Sequence, residues 1–190
     1  MNTLETITQR RSIRKFKDAP IPDETIEIIL NAAIQAPSGK NRQPWRFVVV
    51  KQDHRTEMVR IMRESIDRIE KKGIDIGSSK WTTNVMEQAP VTIFIFNPYA
   101  EHTQGKRPGE ESWGVVDIQS IGAAIQNMLL AAQDLGIGTL WICDVFYAYN
   151  ELCDWLGQTH QMIAAVSLGY PDEKPKARPR KPVSEVTEWL

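Results

Sequence analysis

The chain has 190 residues, with 23 basic against 24 acidic side chains and a formal net charge of -1. That length fits one domain spanning 1–190 with a full core better than two, and 42% apolar with 25% charged residues sets it apart from disordered, collagen-like and disulfide-rich chains. Near-neutrality argues against a surface built to neutralise nucleic acid. The charges are nonetheless clumped: Arg10, Arg11, Arg14, Lys15 and Lys17 crowd one end, and Lys174, Lys176, Arg178, Arg180 and Lys181 the other.

In chain order, residues 3 to 11 suit a short helix and Asp23 to Ala36 a stronger one, with Ile26, Ile29, Leu30 and Ala33 at helical spacing and Pro37-Ser38-Gly39 as its stop. Phe47 to Val50 reads as a strand, His54 to Lys72 as a surface helix, and Lys80 to Gln88 as another short helix. Val91 to Phe96 is β-rich and apolar on both faces, as expected of a buried strand, and Asn97-Pro98 ends it. Residues 97 to 114 lack periodicity and predict a long loop or lid.

Next, Ile118, Ile121, Ile125, Met128, Ala132 and Leu135 recur three and four apart, with Gly, Ala and Leu between them. This predicts a helix buried nearly all round, more readily against a second copy of the chain than alone. Gly136 caps it. Gly138 to Ile142 is a strand, Tyr149 to Leu156 a short helix and Met162 to Leu168 a last strand. Four prolines between 171 and 182 make 170–190 an extended arm suited to pairing with a partner's sheet edge. The expected fold is α+β, a central mostly antiparallel sheet flanked by helices.

No run approaches the roughly 20 apolar residues of a membrane-spanning helix, and no basic-then-apolar leader opens the sequence. Cys143 and Cys153, ten apart, fit neither a disulfide framework nor a CxxC pair, so a cytoplasmic protein with reduced thiols is expected. His54, His102 and His160 lack metal-ligand spacing, and no GxSxG, HExxH, P-loop or dinucleotide fingerprint is present. No metal and no dedicated catalytic side chain is expected. What remains is anion binding: guanidinium forks and a hydroxyl in Arg10-Arg11-Ser12-Ile13-Arg14, and Arg178 with Arg180 on one face of an extended arm. The polar turn 37–45 offers side chains and amides that suit a heteroaromatic edge.

RRSIRKF at 10–16, APSGKNRQPWRFVVV at 36–50, LGIGTLWI at 135–142 and LGYPDEKPKARPRKP at 168–182 together resemble the FMN-dependent nitroreductase family, in order and over essentially the whole chain. The resemblance implies an intertwined α+β homodimer with FMN at the subunit interface and C-terminal arms that embrace the partner. It implies that Arg10, Arg11 and Ser12 bind the FMN phosphate and ribityl chain, joined by Arg178 and Arg180, with Lys181 beside them. Arg14 approaches the pyrimidine side of the ring, and Asn84 matches a further polar contact there. Pro37, Ser38, Gly39 and Asn41 match the segment that reaches the flavin of the other subunit. Leu140, Trp141 and Ile142 match the strand end that lines the ring, with the amide near Cys143 as a donor to flavin N5. Cys143-Asp144 departs from the Gly or Glu of many relatives and brings a carboxylate near the ring.

The implied activity is hydride transfer from NAD(P)H through FMN to nitroaromatic, quinone or similar small electrophilic acceptors in ping-pong order, the cofactor carrying the chemistry. The alternatives are a flavin-binding or flavin-remodelling member without efficient NAD(P)H turnover, and a small nucleic-acid binder using the two basic clusters. A steep salt slope without flavin would mark the latter.

Overall fold

The computed structural model describes residues 2–51, 53–101 and 111–190, the side chains of 101, 111 and 112 excepted. Six helices and four strands are described, α1 Thr3–Gln9, α2 Asp23–Ala33, β1 Arg46–Lys51, α3 Asp53–Lys71, α4 Ser79–Gln88, β2 Val91–Glu101, α5 Glu111–Asp134, β3 Gly138–Ile142, α6 Tyr149–Trp155 and β4 His160–Gly169. The strands form one sheet in the order β1-β2-β4-β3, every neighbour antiparallel.

The period of two along β2 sorts its side chains onto two cores. Val91, Ile93 and Ile95 pack with Ile26, Ile29 and Ala33 of α2 and with Ile121, Ala124, Ile125 and Met128 of α5. Phe94 and Phe96 pack on the other side with Met58, Met62 and Ile66 of α3, Val85 and Met86 of α4, and Leu152 and Cys153 of α6. Helices therefore cover both faces of the sheet, and Val91 to Phe96 is buried at every position because neither face of that stretch meets water. Each fully buried phenylalanine contributes roughly 1.5–3 kcal/mol of transfer free energy.

The ends of the elements follow local chemistry. Asn2 and Glu5 form a reciprocal capping box on α1. Gly136, at φ 74°, closes α5, with the Ile137 N–H donating to the Ala132 carbonyl at 2.8 Å. This turns the chain directly into β3.

Two expectations, on the end of β2 with its following loop and on the longest apolar run, are corrected. Strand β2 passes Asn97-Pro98 and runs to Glu101; its pairing with β4 is irregular between Asn97 and Glu101, which admits a proline that has no N–H to donate. Of the expected 97–114 loop, 97–101 is thus strand and 111–114 is helix, while 102–110 lies outside the described residues. Within one chain helix α5 is buried along its middle, where Ile121, Ile125, Met128 and Ala132 are fully buried, whereas Val115 and Ile118 are 56% and 44% exposed. Finally, Trp113–Asp134 is long and apolar enough by composition to cross a membrane. Its buried residues instead form the core between α2 and the sheet.

The arm leaves the sheet at Pro171, which pairs with Phe16. Beyond it the chain is extended apart from a 3-10 turn at Val183–Glu185, and Val183, Val186 and Trp189 are exposed.

Candidate functional site

The segment after α1 runs alongside β3. Ser12 pairs in parallel with Thr139, and the Ile13 N–H donates to the Thr139 carbonyl at 2.9 Å. Gly138 permits this approach, because a Cβ there would lie 2.8 Å from Ile13 Cγ1. Residues 10 to 14 are thereby fixed against the outer edge of the sheet.

The arm returns to the same place. The Lys17 N–H donates to Tyr170, the Asp172 N–H to the Lys15 carbonyl, and the Arg14 N–H to the Glu173 carboxylate. The two basic clusters, more than 150 residues apart in sequence, converge: burial, Arg180 and Arg11 together lower the pKa of Arg10. Among the described residues no carboxylate pairs with the guanidinium of Arg10, Arg11, Arg14, Arg178 or Arg180. Arg11 reaches only the Thr8 and Arg10 carbonyls, Arg14 the Ser12 carbonyl, and Arg180 the Arg178 and Pro179 carbonyls. The arginines of α3 behave differently, Arg60 meeting Glu57 and Glu64, Arg63 meeting Glu87, and Arg68 meeting Glu151. Uncompensated guanidinium groups at one place suit a multiply charged anion such as a phosphate monoester.

Beside this cluster lie exposed aromatic rings. The Arg14 guanidinium sits 5.6 Å from the ring centroid of Trp81 on α4, and Trp81 and Trp141 are 50% and 39% exposed. Thr82, next to Trp81, donates its hydroxyl to Asp144, tying α4 to the turn after β3. Leu140 and Ile142 turn into the core shared with α3 and α6, so of the three expected ring-lining side chains only Trp141 is exposed. Cys143 is exposed, yet partial burial of its sulfur and the nearby Asp144 raise its thiol pKa, which disfavours a thiolate. Asn84 accepts a hydrogen bond from Arg63 at 3.3 Å, so its side chain is engaged with α3.

The turn 37–43 lies elsewhere. It leads into β1, at the opposite edge of the sheet from β3, three strand spacings or about 14 Å away. It rests on the first turns of α5: a Cβ on Gly39 would lie 2.4 Å from Val116 Cγ1, and the Gly39 N–H faces the Ser120 hydroxyl at 3.4 Å. Arg42 grips Asp117 through Nε and Nη2 at 3.0 and 3.2 Å. Its guanidinium lies between the rings of Tyr99 and Trp113, at 4.4 and 4.8 Å. Pro37 and Asn41 are exposed, and Ser38 accepts from the Gln43 N–H. The structure thus brings Arg10, Arg11, Ser12, Arg14, Arg180, Trp141 and Cys143 to one edge, and leaves Pro37, Ser38, Gly39 and Asn41 at the other.

Sequence reasoning missed the Arg42, Asp117, Tyr99 and Trp113 cluster. Its only legible signal was Trp113 beside a loop; the members lie up to 75 residues apart.

An antiparallel sheet covered by helices on both faces defines an α+β fold, and its β3 edge carries a guanidinium cluster without ion pairs among the described residues, beside exposed tryptophans. The nitroreductase family model matches residues 7–170, and the chain belongs to that family. A relative from Archaeoglobus fulgidus named "Putative NADH dehydrogenase/NAD(P)H nitroreductase" is 36% identical over 178 residues, 90% of this chain and 87% of its own. Among solved structures, a BluB-like flavoprotein from Clostridium difficile 630 is 29% identical at a TM-score of 0.79, covering 100% of this chain and 99% of its own. The NADPH:FMN oxidoreductase from Vibrio harveyi complexed with NAD+ is 25% identical at a TM-score of 0.77, covering 100% of this chain and 77% of its own.

Proposed function

We propose that this protein is an NAD(P)H-dependent flavin oxidoreductase that holds FMN between two copies of the chain and reduces nitroaromatic, quinone or similar small electrophilic acceptors. The observation that carries the reading is the convergence of Arg10, Arg11 and Arg180, whose guanidinium groups pair with no carboxylate among the described residues, in a setting that lowers the Arg10 pKa. An FMN phosphate supplies the missing charge, and Trp81 and Trp141 offer apolar surface for a planar ring. The residues present fit the cofactor.

When bound, FMN supplies the redox chemistry, accepting two electrons from NAD(P)H and delivering them to the acceptor. Arg10, Arg11, Ser12, Arg178 and Arg180 hold the phosphate end. Arg14, resting on Trp81, presents positive charge to the pyrimidine side, where negative charge develops on reduction. The amide near Cys143 serves as a donor to N5, and the tie between Thr82 and Asp144 fixes the turn that carries it. The turn 37–41 of a second copy closes the opposite side, since the two half-sites of one chain sit at opposite sheet edges. Exposed Val115 and Ile118 on α5, with Val183, Val186 and Trp189 on the arm, provide apolar surface for that dimer. Two free cysteines accord with a cytoplasmic location.

The test is spectroscopic. The purified protein is expected to be yellow, to bleach anaerobically with NADH or NADPH, and to recover its colour with a nitroarene. Protein that is colourless and takes up no FMN refutes the proposal. FMN that stays oxidised in excess NAD(P)H favours the flavin-binding alternative instead.

A further inference from the structure

The turn that carries Gly39 and Asn41 is held in an unfavourable backbone. Lys40, Asn41 and Gln43 have φ of 51°, 54° and 51°, the left-handed region that costs a residue with a Cβ on the order of 1–2 kcal/mol. Three left-handed residues within four persist only because the surroundings fix them. The fixing contacts are the two-pronged Arg42 grip on Asp117, the Tyr99 hydroxyl donating to the Arg42 carbonyl at 2.9 Å, and the seat of Gly39 on Val116. This backbone exposes Lys40, with its ammonium 5.3 Å from the Trp113 ring centroid. Arg42 lies against the same indole, but Asp117 neutralises it. Lys40 makes no ion pair among the described residues. Among the described residues it is an uncompensated cation, between two residues of the half-site and resting on an aromatic ring.

We infer that Lys40 is a specificity residue that recognises a negatively charged group, such as a carboxylate, on the electron acceptor. The inference rests on the proposed reading that the turn 37–41 faces the flavin of a second copy. A lysine is a point charge on a flexible stem, able to meet a carboxylate at varied positions on an aromatic acceptor. Contact with Trp113 limits its excursions, so a nearby carboxylate meets a better-positioned charge there than beside an unconstrained lysine. Acceptors with a neutral substituent gain nothing from it.

The experiment compares wild type, Lys40→Met and Lys40→Arg as FMN-loaded proteins, with 4-nitrobenzoate and 4-nitrobenzamide as acceptors and NADH as donor. Dissociation constants for benzoate and benzamide are read separately from the perturbation of the flavin absorbance. Lys40→Met is expected to lower the ratio of kcat/KM for 4-nitrobenzoate over 4-nitrobenzamide roughly fivefold, and to weaken benzoate more than benzamide by a similar factor. Lys40→Arg restores most of the preference, and the preference shrinks with rising salt. A yellow, NADH-reducible Lys40→Met protein with the wild-type ratios overturns this inference alone. Protein that takes up no FMN overturns the parent reading and this one with it. If Lys40→Met slows bleaching by NADPH but not by NADH, the anion is the dinucleotide phosphate, and the assignment to the acceptor is overturned.

Discussion

Arg42 and Asp117 meet through both prongs of guanidinium and carboxylate across 75 residues of sequence, and the Asp117 side chain is only 4% exposed. Removing one partner of such a pair leaves the other uncompensated. Arg42→Ala, which strands the buried carboxylate, is expected to cost about 2–4 kcal/mol, toward the low end because the Arg42 side chain is 32% exposed. Urea unfolding checks it: the midpoint falls with the slope unchanged. A wild-type midpoint would show that the pair contributes nothing.

Gly39 is tested by volume. Its absent Cβ would stand 2.4 Å from Val116 Cγ1, so Gly39→Ala is expected to lose about 1–3 kcal/mol by overpacking. Val116→Ala in the same chain removes the obstructing carbon and recovers most of that loss. A double-mutant cycle measures the coupling, and strict additivity would mean that the clash is relieved elsewhere.

At the other edge, Arg10→Ala and Arg180→Ala are each expected to weaken FMN binding by about 1.5–3 kcal/mol, the scale of a hydrogen bond to a charged group. Quenching of free flavin fluorescence by apoprotein reads the affinity. Unchanged binding in both variants removes these residues from the phosphate site.

The fully buried Cys153 gives a pH dependence. Burial, with Asp154 nearby, pushes its thiol pKa from 9.0 up to about 11. Because the folded state holds the proton more tightly than the unfolded state, the linked stability is complete below about pH 9 and is lost as pH rises toward about 11. The loss is on the order of 2 kcal/mol. Unfolding free energy measured across that interval is expected to fall more steeply for wild type than for Cys153→Ala, and parallel curves would refute the linkage.

Much of the fold was legible because its signals are local. The strand expected at Gly138 to Ile142 is β3 with those bounds, and Gly136 ends α5 in the left-handed conformation its type permits. What escaped depended on distant partners. Asn97-Pro98 has the chemistry of a strand end, yet β4 continues alongside and tolerates the irregularity, so β2 goes on. Leu140 and Ile142 lie in a stretch expected to line the ring, but alternation sends both side chains into the core. The arginines of the proposed phosphate site were visible as charge clumps, and the structure brings Arg180 to Arg10. The Arg42 cluster had no sequence signature, since an arginine after an asparagine in a turn is unremarkable until Asp117, Tyr99 and Trp113 surround it.

The separation of the two half-sites by the width of the sheet has a genetic consequence in the proposed dimer. An Arg10→Ala chain damages only the site built on its own β3 edge, and an Asn41→Ala chain only the site it completes in its partner. Refolded together, the two inactive parents form mixed dimers in which one site inherits both defects and the other inherits neither. Such mixtures recover activity by complementation, toward half that of wild type per mixed dimer, whereas a site contained within a single chain recovers none.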